Sequence, residues 1–117
     1  LPGENKRFSN GNTFLFVKTN YQMEKVSLQD ILYVKSMSNY LIIKTPGKSY
    51  FTLSNFQQLQ QLLPPDNFVR LHKSYIIAVD KIDIINKSSV RTGKVTIPIG
   101  ESYKKTFFEL LESNKLM

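Results

Sequence analysis

Reactive side chains are scarce in this chain. It has one histidine, His72, and no cysteine. His72 therefore has no thiol to pair with, and neither a disulfide framework nor a thiolate metal site can form. A zinc site usually takes several histidine or cysteine ligands, so no metal is expected, and nothing in the sequence asks for a cofactor. Asp30, Asp66, Asp80 and Asp83 fall into no acid–base motif. There is no Gly-x-Ser-x-Gly elbow to aim a nucleophilic serine. No glycine-rich phosphate loop follows a strand. These absences predict a protein that is not an enzyme.

Binding chemistry is better represented. The chain carries 16 Lys plus Arg against 9 Asp plus Glu, a net charge of +7. Between Lys35 and Lys105 there are eleven basic residues and only four acidic ones, Asp66, Asp80, Asp83 and Glu101. Such an excess favours phosphate backbones or anionic membranes as partners, although it also suits a merely basic surface. Three clusters stand out, each at a break between apolar runs: Lys35-Ser36-Met37-Ser38-Asn39-Tyr40, Arg70-Leu71-His72-Lys73-Ser74, and Gly100-Glu101-Ser102-Tyr103-Lys104-Lys105. Each mixes cations with hydrogen-bonding side chains, as a duplex surface requires. Lys and Arg neutralise phosphates, while Ser, Asn and Tyr donate to phosphates or read base edges. The phosphate-contact candidates are Lys35, Ser38, Tyr40, Arg70, His72, Ser74, Tyr103, Lys104 and Lys105. Chemistry alone leaves these clusters equally readable as solvated loops.

The elements that would position the clusters are mostly short strands. Residues 1–12 are polar and turn-rich and read as a linker remnant, with one domain over 13–117. Leu1 is not a natural start, so the chain is expected to be a fragment of something longer. Alternation over Thr13–Thr19 and a break at Asn20-Tyr21 predict a hairpin into Gln22–Val26. Ser27 should cap a single turn before a strand over Ile31–Lys35. Tyr40–Thr45 and Lys48–Leu53 flank Pro46-Gly47, placed as in a type II turn. Ser54 and Gln57 have capping-box spacing, which predicts a helix over roughly Asn55 to Leu63. Phe56, Leu59, Leu62 and Leu63 would share its apolar face, and Pro64-Pro65 would end it. Short strands follow over Phe68–Leu71, Tyr75–Val79, Ile82–Asn86, Val90–Thr92 and Val95–Ile99, and a last helix should begin near Ser102. No face carries an apolar stripe beyond what the core needs, so the fragment is expected to be a monomer without DNA. No apolar run is long enough to span a membrane and no signal peptide opens the chain, which predicts a cytoplasmic protein.

In order and wording these segments resemble the LytTR family of DNA-binding domains. Three stretches carry the likeness: Leu28–Val34 with Asn39-Tyr40, Asn67–Ile77 with Asp80-Lys81-Ile82, and Ile97-Pro98-Ile99 with Ser102–Lys105. The middle stretch, Phe-x-Arg-x-His-x-Ser-Tyr-Ile, is close to a family signature, and the likeness covers roughly residues 13 to 112. It implies a mainly β, elongated arrangement of about ten short strands, with one mid-chain and one C-terminal helix. It also implies the output half of a two-component response regulator, preceded by a receiver domain and served by a sensor kinase. Such domains bind DNA through loops that enter successive major grooves, commonly as two copies on paired direct repeats. Carried over by position, the base-reading candidates are Asn39, Lys73, and Glu101 or Ser102. Asn39 would present its amide to adenine and Lys73 would reach guanine. Glu101 stands near where the family frequently has arginine, which leaves it either accepting from a cytosine amino group or facing away.

Other readings stand beside this one. His72 is as readily a brace within a strand pair as a phosphate contact, and Arg70 as readily an ion-pair partner of Asp66 or Asp80. A basic interaction module docking an acidic protein partner is the alternative function. RNA binding lacks the exposed sheet aromatics it usually uses.

Overall fold

The computed structural model describes residues 12–116. The predicted linker remnant therefore falls almost wholly outside the described residues. Ten strands and two helices follow in order: β1 Phe14–Thr19, β2 Gln22–Ser27, β3 Tyr33–Met37, β4 Tyr40–Thr45, β5 Lys48–Leu53, α1 Phe56–Gln60, β6 Phe68–His72, β7 Tyr75–Ala78, β8 Ile84–Ile85, β9 Ser89–Thr92, β10 Val95–Pro98 and α2 Lys104–Leu110. They form a β1-β2 hairpin, a central five-stranded sheet in the order β5-β4-β3-β7-β6, and a three-stranded sheet in the order β10-β9-β8. All pairings are antiparallel.

The central sheet is covered on both faces, and its alternation divides the core in two. Val34 of β3 and Ile76 of β7 join Leu15, Val17, Val26, Leu41, Phe56, Leu59 and Leu63, under the hairpin and α1. Their neighbours Tyr33 and Ile77 point the other way, onto Val90, Ile97, Ile99 and Phe107 of the small sheet and α2. Period-2 patterning thus fixes the register, because a one-residue slip would exchange the two cores.

Several local details differ from the sequence expectations. Asn55, not Ser54, caps α1: its side chain accepts from the Gln58 amide at 2.9 Å, while Ser54 Oγ donates to Gln58 Oε1. The helix ends at Gln60, earlier than predicted, and Leu62 is exposed. Ser27 stands at the cap of a 3₁₀ turn over Leu28–Asp30 without a side-chain bond, and β3 begins at Tyr33 rather than Ile31. A 3₁₀ turn over Val79–Lys81 shortens the next strand to Ile84–Ile85. Phe16, Leu53 and Leu62 border one groove between β1, β5 and the end of α1, so surplus apolar surface does exist. Gly47 has φ +76°, as the second central residue of the predicted Pro46-Gly47 turn requires.

Candidate nucleic-acid interface

The first two basic clusters lie at the same end of the central sheet. Met37 pairs with Tyr40, so the β3–β4 turn consists of Ser38 and Asn39 alone. Lys35 pairs with Tyr75 across β3 and β7, which sets the β6–β7 turn at that same rim. Ser36 N donates to Ser74 O at 2.9 Å and locks the two turns side by side. With strands about 4.8 Å apart, the turn centres lie roughly 10 Å from each other. The third cluster joins from the outer side of β6, where Gly100 N donates to Leu71 O at 2.8 Å. The order along the rim is thus Asn39, Lys73, then Glu101 and Ser102.

Each turn presents its polar residues differently. Ser38 has φ +55°, a left-handed backbone costing on the order of 1 kcal/mol for a residue with a Cβ. A positive φ at the first central position suits a type II′ hairpin turn, and it leaves Ser38, Asn39 and Tyr40 exposed. Lys73 is exposed at the tip of its own turn. Lys35 is half-buried and lies over the Tyr75 ring, 5.8 Å from its centre. Ser102 and Lys105 are exposed. Glu101 is almost fully exposed and holds Lys104 Nζ at 2.6 Å, an i,i+3 pair that faces solvent. The last helix starts at Lys104, with a 3₁₀ turn over Glu101–Tyr103 in place of the helix start expected at Ser102.

Two further phosphate candidates, His72 and Arg70, are engaged inside the protein. The Nδ1 of His72 accepts from Ser74 N at 3.0 Å, and its ring meets Tyr75 edge-on. That geometry favours the bracing role. Arg70 donates from Nε to His72 O at 3.2 Å and from an Nη to Lys73 O at 2.6 Å. Its guanidinium lies 4.8 Å from the Phe56 ring centre and 5.7 Å from that of Tyr103. Among the described residues no ion pair joins Arg70 to Asp66 or Asp80, the partners offered by the sequence; Asp80 is bonded by Asn67 and Lys81. The register of β6 against β7 shifts between Arg70 and His72, a bulge at Leu71. Phe56 carried no signal of a place beside these turns, since its approach to Arg70 depends on chain folding over more than ten residues.

Known proteins carry related sequences and folds. A family model described as LytTr DNA-binding domain matches residues 21–112. Sensory transduction proteins LytT of Bacillus anthracis and Bacillus cereus are each 27% identical in an alignment of 92 residues that covers 74% of this chain. An uncharacterised response regulatory protein of Vibrio cholerae is 25% identical over 95 residues. The matches cover 37% of each Bacillus protein and 36% of the Vibrio one, so the chain spans little more than a third of these relatives. The LytTr DNA-binding domain of a methyl-accepting/DNA response regulator from Bacillus cereus superposes with a TM-score of 0.76 at 23% identity. That match covers 87% of this chain and 99% of the other, and likewise has the fold read from the sequence.

Proposed function

The chain belongs to the LytTR family of DNA-binding domains, and from that premise we propose that it binds duplex DNA sequence-specifically as the non-catalytic output part of a response regulator. One observation carries the proposal beyond membership. Three polar, basic turns lie side by side along one rim, with Asn39, Lys73 and Ser102 exposed in succession. Asn39 and Lys73 read base edges, the first suited to adenine and the second to guanine. Ser102 joins them, while Lys35, Ser38, Tyr40, Lys104 and Lys105 hold phosphates. Ser74 and Tyr103 serve the same surface from half-buried positions. Glu101 accepts from cytosine or stays with Lys104.

The rest of the reading concerns the whole protein. A receiver domain answering to a sensor kinase would precede this one in a cytoplasmic regulator, and two copies would occupy paired direct repeats. Among the described residues no helix is long and apolar enough to cross a membrane. Selection of bound duplexes from a random pool tests the function. A recurring paired motif supports it, and a pool that never converges contradicts it.

A further inference from the structure

Arg70 stands among the exposed cations of this rim but is itself bonded within the protein. Two of its donors are committed to consecutive backbone carbonyls, His72 O and Lys73 O, on the turn that carries Lys73. One ring beside its guanidinium belongs to α1, and another, Tyr103, to the third turn. The side chain is half-buried. Gly100 closes the junction: its amide is bonded to Leu71 O, and a Cβ there would stand 3.1 Å from Tyr103 Cδ2 and 3.6 Å from His72 Cα. Second and third turns therefore meet here, with a planar cation beside both.

We infer that Arg70 is a positioning residue that fixes the Lys73 turn and the Glu101–Ser102 turn relative to each other, and that it is not a phosphate contact. The inference rests on the DNA-binding reading for its consequence, specificity, but not for the clamp itself. A planar fork can donate to two carbonyls while stacking on rings; an ammonium supplies a point charge and lacks the plane. Lysine at this position would keep the charge and lose the geometry. Base readout needs side chains held to about half an ångström, whereas phosphate attraction tolerates looser placement. Loss of the clamp should thus erode discrimination and spare general affinity.

The test uses the whole chain with Arg70→Met, Arg70→Lys and Gly100→Ala. The last variant crowds the Tyr103 ring with no change of charge and with Arg70 intact. Two probes serve: the duplex enriched from a random pool by the unmodified chain, and a scrambled duplex of the same composition. Backbone amide relaxation of the DNA-free protein is read at residues 72–74 and 101–103. Both Arg70 variants are expected to loosen the two turns together and to lower the preference for the enriched duplex about tenfold, as for lost hydrogen bonds from a charged group. The salt slope should stay as it was. Gly100→Ala should give a smaller loss in the same direction. Full restoration of binding by Arg70→Lys, a slope reduced by about one in Arg70→Met, or unchanged amides in both turns would each overturn the inference. Failure of the DNA-binding reading would appear separately, as no duplex preference in the unmodified chain, and the amide relaxation would still decide whether Arg70 holds the turns.

Discussion

Lys73 and Lys104 carry the same charge under different circumstances. Lys73 is exposed at a turn tip, and Lys104 is held by Glu101 at 2.6 Å. Replacing Asn39 or Lys73 with alanine should cost about 1–3 kcal/mol on the selected site and much less on scrambled duplex, measured by titration of each. Glu101→Gln separates two roles for the glutamate. An exposed pair contributes little stability, so the fold should be unaffected. With the carboxylate gone, Lys104 is free and one repulsion of phosphate disappears. Affinity should then rise on every duplex, and the salt slope should steepen by about one. If Glu101 instead reads cytosine, affinity falls on the selected site alone, and the same titration reports it.

The elements hold these side chains through two cores and a few cross-links. Phe107 is fully buried and anchors α2 to the central sheet. Its truncation to alanine should cost about 3–5 kcal/mol in urea unfolding. On the other side, Lys48 of β5 meets Glu24 of β2 at 2.7 Å and lies over Tyr50. The bond from Lys48, followed by that from Thr19, holds the Glu24 carboxyl below its usual range, and the bond to Glu24 raises Lys48. The depressed carboxyl stabilises the fold above the ordinary carboxylate range, and this is lost as pH falls through its lowered value. The raised ammonium stabilises below the ordinary lysine range and loses that effect as pH rises through its raised value. The small Tm advantage over Glu24→Gln should therefore vanish at acid pH, as thermal unfolding across pH would register. Much of this level was legible in the residues: alternating runs gave the strands, and Pro46-Gly47 gave its turn. Less legible was which face points inward in Phe14–Thr19, where both alternating sets begin with large apolar residues. Leu15 and Val17 are buried, leaving Phe14 and Phe16 exposed. Ser54 and Asn55 are both good caps, and only the backbone path decides between them. The Arg70 junction was hidden for a stronger reason, since it needs a bulge at Leu71 and the return of the chain at Gly100.

For the whole molecule, the layered sheets make one rim on which three distant segments converge. A net charge of +7 attracts any duplex, so affinity by itself says little about readout. Discrimination at defined salt is the informative quantity. The most direct measurement is binding of the unmodified chain to its selected duplex and to a scrambled duplex at several salt concentrations. Sequence-specific binding predicts a steep salt dependence on both, with the selected duplex bound on the order of a thousandfold more tightly at physiological salt. Equal affinity for the two duplexes at every salt concentration would contradict it.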